Sequence, residues 1–240
     1  MKIIISGYGK MGREIEKAAL ARGHQVLVKL DTPDDWSVQK SLISRADMAI
    51  DFSTPDSALN NIRRCFDLNM PVVVGTTGWH ENADLVRKWC LDEHQSIFVA
   101  SNFSIGVNIL YSLTEKLSKM ADQFEDYEIS LEEIHHIHKL DAPSGTAIRL
   151  AEIILGGVRR KKNWVNRRQS GPEELEIISG REDEIPGIHT IICESGSDRL
   201  ILRHEAKGRE GFAVGAILAA EWLTGKKGFF EMKDLLHLTV

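Results

Sequence analysis

The sequence predicts an α/β protein in which a doubly wound parallel-sheet domain carries a second, α+β domain inserted before its last helix. Three observations predict it. Short β-rich runs alternate with helix-spaced segments up to Ala100, and a glycine-rich turn closes the first run. After Asn102 the alternation gives way to successive strands.

The early runs fall at 2–6, 25–30, 48–52, 71–75 and 96–100. Apolar residues occupy both faces of these runs rather than alternating with polar ones, as in strands covered on both sides. Between them lie helical spacings such as Met11, Ile15, Ala18, Ala19 and Leu85, Val86, Trp89, Cys90. Thr54-Pro55 reads as a helix cap followed by proline at the first helical position, and Asn82 caps the helix opening at Ala83. Beyond Asn102 a long amphipathic helix is expected over about 106–122. Strands follow near 127–136, 174–179, 188–194 and 199–204, with one helix starting near Ser144. A final apolar helix, 212–223, returns to the first domain. The expected division is residues 1–103 with 212–240 for dinucleotide binding, and 104–211 as a mixed-sheet domain for substrate binding and oligomerisation. The basic run Arg159-Arg160-Lys161-Lys162, followed by Arg167-Arg168, reads as a solvated loop.

Composition narrows the function classes. The 240 residues carry 30 Lys plus Arg against 35 Asp plus Glu, a net charge of −5, with 42% hydrophobic and 27% charged residues. Those proportions belong to an ordinary globular protein that buries its own core without disulfides or structural metal. So weak a negative charge offers no field for nucleic acid or anionic membrane. Cys65, Cys90 and Cys193 are odd in number and form no CxxC pair, as in a reducing compartment. No secretory signal is expected, and the apolar stretch 212–220 is far short of a membrane span, so a cytoplasmic location is expected.

Gly7-Tyr8-Gly9-Lys10-Met11-Gly12 follows the first strand and opens the first helix, the setting in which GxGxxG binds a dinucleotide in Rossmann-type domains. Gly7 permits the tight turn, Gly9 lets the backbone approach a pyrophosphate, and Gly12 allows close helix–strand packing. The helix N-terminus supplies N–H groups and partial positive charge. Asp31 ends the second strand 19 positions after Gly12, where a carboxylate bonds the adenosine ribose and favours NADH. Lys10 pulls the other way by offering a partner to the 2′-phosphate of NADPH. Use of both is expected, with NADH at least as good. Gly75-Thr76-Thr77-Gly78 and Ala100-Ser101-Asn102-Phe103 lie just past strand carboxyl ends, where an open parallel sheet binds ligands, and are expected to contact the nicotinamide and its ribose.

The densest chemistry lies in the segment from Glu132 to Ala147, which holds His135, His136, His138 and Lys139 before Asp141-Ala142-Pro143-Ser144-Gly145-Thr146. On a strand His135 and His136 face opposite sides, and no paired ligand spacing suggests zinc, so no metal is expected. Pro143 keeps Ala142 extended and Ser144 reads as an N-cap. The N–H groups of Gly145 and Thr146, with the Thr146 hydroxyl, then form a seat for a carboxylate. His135, His136 and Lys139 add positive charge and proton donors. This is an anion-binding and acid–base constellation, without an activated Ser or Cys nucleophile.

The core HHxHKxDAPSGTA resembles the 4-hydroxy-tetrahydrodipicolinate reductase (dihydrodipicolinate reductase) family. Matching blocks extend along the chain: 7–12, Ile50-Asp51-Phe52-Ser53-x-Pro55, 72–78, Asn102-Phe103-Ser104-x-Gly106-Val107-Asn108, Pro186-Gly187-x-His189 and Phe212-Ala213-x-Gly215-Ala216. The resemblance implies a cytoplasmic enzyme of diaminopimelate and lysine biosynthesis that reduces a small cyclic dicarboxylate with NADH or NADPH. It implies His135 as proton donor or acceptor and Lys139 as proton donor, with His136, Gly145 and Thr146 binding the dicarboxylate. It implies residues 7–12, Asp31, 75–77 and 100–103 at the cofactor, and a homotetramer assembled through the second domain's sheet. Lys10 stands where many members carry Arg.

Overall fold

A computed structural model describes residues 1–168 and 171–237. The chain begins β1 (Lys2–Ser6), α1 (Lys10–Ala21), β2 (Gln25–Leu30), α2 (Asp35–Val38), α3 (Lys40–Ile43), β3 (Met48–Asp51) and α4 (Pro55–Asp67). It continues with β4 (Val72–Val74), α5 (Ala83–Asp92), β5 (Ser96–Val99), α6 (Ile105–Ala121) and β6 (Glu128–His135). Then come α7 (Gly145–Gly157), β7 (Asn163–Val165), β8 (Glu174–Arg181), β9 (Ile188–Glu194) and β10 (Arg199–Glu205). The last elements are α8 (Glu210–Leu223), β11 (Gly228–Phe230) and α9 (Met232–Leu235).

Two compact units result, Met1–Ser104 with Arg209–Val240, and Ile105–Gly208. The first holds a six-stranded, wholly parallel sheet in the order β11-β5-β4-β3-β1-β2. Its central strands are buried on both faces: Ile3, Ile4, Ile5, Val72, Val73 and Val74 are without solvent exposure. That continuous apolar run is why these segments form interior parallel strands rather than an edge. Thr54 caps α4 in extended conformation with Pro55 at its first turn, and Asn82 occupies the cap position of α5, as their sequences predict.

The second unit holds a mixed sheet in the order β10-β9-β6-β8-β7. The pairs β10–β9 and β9–β6 are antiparallel, and β6–β8 and β8–β7 are parallel. Its core is built from Ile129 and Leu131 on β6, Leu150, Ala151 and Ile154 on α7, and Leu175 and Ile177 on β8.

Several details differ from the sequence-based expectations. The runs expected at 48–52, 71–75 and 96–100 each stop at least a residue short, and Pro71, lacking an N–H, stays outside β4. The elements α2, α3, β7, β11 and α9 were unforeseen, because three or four residues are too few to display a period. Of these β11 matters most, since it adds a sixth parallel strand beside β5. The basic run is a loop solvated only in part: Arg159, Lys162, Arg167 and Arg168 are exposed, Arg160 is half-buried and Lys161 is buried. The Lys161 side chain is 4% exposed and its ammonium reaches Pro172 O and the Glu128 carboxylate, while Arg159 pairs with Asp122 at 2.7 Å. Arg160 donates to the carbonyls of Ala121 and Tyr127. Arg159 and Arg160 thus close the end of α6, and Lys161 ties this loop to Glu128 at the start of β6.

Two glycines of α8 offer a matched test of packing in the first unit. A Cβ on Gly215 would collide with the Phe103 carbonyl, whereas one on Gly211 would meet nothing within 4 Å. Gly215→Ala is expected to cost about 1–3 kcal/mol through overpacking, and Gly211→Ala to be neutral or to stabilise by about 0.5 kcal/mol. Thermal or urea unfolding of the two variants measures both signs.

Candidate active site

In the first unit the carboxyl ends of β1, β2 and β3 surround a cavity of about 180 Å³. Ser6, Gly7, Asp31, Trp36, Asn61 and Arg64 are among the residues lining it. Gly7 takes φ +85° and lies against the Phe52 carbonyl, and Gly12 packs on the Gly7 carbonyl. Around Gly9, by contrast, a Cβ would find nothing within 4 Å. Gly9 is the N-cap of α1, no side chain caps that terminus, and its first turn has no acidic residue. Its orphan N–H groups and partial positive charge therefore face open space, as a pyrophosphate requires.

Asp31 accepts the Tyr8 backbone N–H at 2.6 Å, so it braces the glycine turn as well as lining the cavity. The Tyr8 ring turns aside, with Lys29 4.5 Å and Arg13 5.2 Å from its centroid and its hydroxyl on Glu16. The Arg64 guanidinium lies 5.6 Å from the Trp36 ring and donates to Pro33 O at 3.3 Å. Trp36 and Arg64 escaped sequence reasoning because they sit on α2 and α4, outside any recognised turn.

Beneath this cavity Asp51 is buried, its carboxylate accepting from Thr76 Oγ1 at 2.5 Å, Asn61 Nδ2 at 2.8 Å and Ser53 Oγ at 3.0 Å. Thr76 Oγ1 in turn accepts the Ser53 N–H at 2.8 Å. The Thr76 hydroxyl is thus spent inside the protein. Phe103 is likewise a core residue, 2% exposed, with its ring against Phe52 and Phe98. The side chains of these two residues are therefore turned into the protein rather than toward the carboxyl edge of the sheet. Gly75 lies under the Phe52 ring, Ala100 and Asn102 are half-buried, and Thr77, Ser101 and Lys10 are exposed.

In the second unit β6 alternates strictly. Ile129, Leu131, Glu133 and His135 form its buried face, so the apolar stripe ends in a carboxylate and an imidazole. Glu133 Oε1 accepts the Ser144 N–H at 3.0 Å and lies 3.7 Å from Arg181 Nη1. Glu133 Oε2 lies 3.3 Å from His135 Nδ1, off the linear approach of a hydrogen bond, and 3.7 Å from His189 Nε2. Ser144 caps α7 by accepting the Ala147 N–H and meets His189 Nε2 at 3.1 Å. The strand stops at His135, so His136 and the exposed His138 belong to a turn in which His136 O accepts the Lys139 N–H.

Lys139 Nζ holds the Asp141 carboxylate at 2.7 and 2.9 Å, and Arg181 donates to the carbonyls of Lys139 and Asp141 at 3.2 and 2.5 Å. Arg181 therefore ties the lysine loop to the residues beside Glu133. Gly145, at the first turn of α7, is exposed with nothing within 4 Å of a Cβ. Thr146 lies beside it, its side chain interacting with Tyr111. His135, Lys139 and the opening of α7 are thus brought together by β6 and its following loop. Sequence reasoning missed Glu133, Arg181 and His189 as site residues. The first was signalled by its position two residues before His135.

Burial works to raise the Glu133 pKa, but contacts with His135 and Ser144 outweigh it and hold the carboxyl down to about 2. Burial, reinforced by His135, pushes His189 down to about 4, so its ring is neutral at pH 7. Glu133, His135 and His189 bring one ligand atom each within 4.8 Å of one another. The chemistry of this set is that of a proton network rather than a metal centre. It is three ligands deep in the interior, and the His189 nitrogen facing Glu133 already meets Ser144 Oγ.

Fold and site together define a two-unit oxidoreductase with a doubly wound nucleotide-binding sheet and a separate α+β unit that carries acid–base groups. The family model described as dihydrodipicolinate reductase, N-terminus, matches residues 1–103, and that of the C-terminus matches residues 106–236. The chain belongs to the dihydrodipicolinate reductase family. A 4-hydroxy-tetrahydrodipicolinate reductase of Christiangramia forsetii is 44% identical over 236 residues, spanning 98% of each chain. One of Neisseria meningitidis serogroup C is 34% identical over 205 residues, spanning 82% of this chain and 75% of its own. A dipicolinate-bound dihydrodipicolinate reductase from Paenisporosarcina sp. TG-14 has the same fold, with TM-score 0.77 at 23% identity over 96% of this chain and 97% of that one.

The neutral His189 has a consequence for stability. Folded, it takes a proton only near pH 4; unfolded, near 6.5. Between those values the unfolded chain binds more protons, so stability is complete above pH 6.5 and falls as pH drops toward 4. At about 1.4 kcal/mol per unit the loss reaches up to about 3 kcal/mol, and the lowered pKa of His204 adds in the same direction. Glu133 loses its own contribution as pH falls from about 4.5 toward 2, overlapping only the foot of this window. Urea midpoints between pH 7.5 and 4.5 should slope downward, and His189→Gln should flatten the slope.

Proposed function

We propose that this chain is a 4-hydroxy-tetrahydrodipicolinate reductase. It converts (2S,4S)-4-hydroxy-2,3,4,5-tetrahydrodipicolinate, through loss of water to dihydrodipicolinate, into tetrahydrodipicolinate in diaminopimelate and lysine biosynthesis. The observation that carries the reading is the α7 terminus. Ser144 caps it, Gly145 leaves it open, and it follows directly on the loop bearing Lys139. A ring carboxylate seated on the N–H groups of Gly145 and Thr146, with His136 beside them, meets donors that need no reorganisation.

Residues 7–12 hold the cofactor's pyrophosphate and Asp31 its ribose, with Trp36 and Arg64 offering planar surfaces to the adenosine. Residues 75–77 and 100–103 face the nicotinamide, Thr76 and Phe103 through their backbones. When bound, NADH or NADPH supplies a hydride to C4 of the ring. Lys139, released from Asp141, or His135 gives the proton that the resulting negative charge demands. The Lys139 ammonium serves as both partner to the developing charge and proton donor.

The half-exposed Leu200 and Ile201 of the edge strand β10 support a homotetramer built on the mixed sheet. The cytoplasm suits three buried free thiols. Sedimentation should then give the mass of four chains, and a monomer would refute that assembly.

The enzymatic reading is tested by coupling a dihydrodipicolinate synthase to this protein and following NADH and NADPH absorbance separately. Both cofactors should be consumed, NADH at least as well. Lys139→Ala should lower kcat about 100-fold or more with cofactor affinity unchanged, and near-normal turnover would refute its role. Asp31→Asn keeps an acceptor for the Tyr8 N–H but removes the charge. It should move the kcat/KM ratio toward NADPH by about tenfold, or about 1.4 kcal/mol.

A further inference from the structure

We propose that Glu133 is a positioning residue for the reaction, one buried carboxylate that fixes both the His135 imidazole and the cap of the anion seat on α7. The inference rests on the reading of His135 as a proton-transfer group, and it assigns the work to a residue two places earlier on the same strand face. Glu133 is 1% exposed, and its two oxygens divide their labour. Oε1 takes the Ser144 N–H, holding the residue whose hydroxyl caps α7. Oε2 faces His135 Nδ1 at 3.3 Å, off hydrogen-bond geometry, and neither atom has a hydrogen-bond partner among the described residues.

An ionised carboxylate can only accept, so the ring nitrogen turned toward it carries the proton. The neutral His135 is thereby set as the Nδ1–H tautomer, leaving the Nε2 lone pair as the working position. The opposite side of the ring is shaped by Gly187, at φ +155°, whose backbone comes so near that a Cβ would stand 2.9 Å from His135 Nε2. The remaining groups packed against this imidazole are compatible with that state. The His189 ring meets it edge-on at 5.1 Å between centroids and is neutral, and Arg181 lies on the Oε1 side of the carboxylate.

The test has a part that needs no activity. In nitrogen-15 spectra of the uniformly labelled native protein above neutral pH, with His135→Asn identifying the signal, His135 should appear as the Nδ1–H tautomer. An Nε2–H tautomer overturns the proposal whatever the enzyme reduces. Glu133→Gln keeps an acceptor for Ser144 but removes the charge. It should shift His135 toward the other tautomer and lower kcat between about tenfold and about a thousandfold, with substrate and cofactor KM within about threefold. In the His135→Asn background the same substitution should add little further loss, whereas a merely structural role would lower kcat again by the same factor. Wild-type failure in the coupled assay would sink the enzymatic reading alone, since the tautomer is read independently.

Discussion

A carboxylate removed from water at the end of a buried strand costs several kcal/mol unless donors meet it on every side. Each unit of this protein contains one. Asp51 at the carboxyl end of β3 gathers Ser53, Asn61 and Thr76, and Glu133 near the end of β6 gathers Ser144, His135 and Arg181. The need to satisfy these charges determines where the surrounding loops leave their strands. In the first unit it shapes the floor of the ligand-binding edge; in the second it locks the start of α7 beside an imidazole.

The same economy governs the two open helix ends. At α1 and at α7 the first turn carries no acidic side chain, and a glycine there leaves space above the N–H groups. One end suits a pyrophosphate and the other a carboxylate, by the same partial charge and orphan donors. They differ in what surrounds them. The α1 terminus adjoins a cavity lined by Asp31, Trp36 and Arg64. The α7 terminus follows a loop with a lysine ammonium on a carboxylate.

Much of this was legible in the residues. The continuous apolar runs of β1, β3 and β4 announced strands buried on both faces, and Gly7 and Gly12 took the turn and packing roles their spacing implied. Ser144 capped α7 through its side chain. Residues with two plausible fates were less legible. Thr76 and Phe103 stand in segments at the carboxyl edge of the sheet, yet the Asp51 network and the aromatic core claim their side chains. Lys161 reads as a surface charge, yet its aliphatic stem is buried while its ammonium finds Glu128 and Pro172.

The sequence by itself determined the period of each long element, the glycine turn, the capping signals and the cluster of His135, Lys139, Gly145 and Thr146, because all are local patterns within a few residues. Only the tertiary structure decided that β11 joins the parallel sheet beside β5, and that Arg181 and His189 converge with Ser144 on Glu133. It also decided which hydroxyls are spent indoors. Those outcomes depend on segments 40 or more positions apart sharing one buried charge, with separations of 48 for Glu133 and Arg181 and 45 for Ser144 and His189. No pattern confined to a single element encodes that.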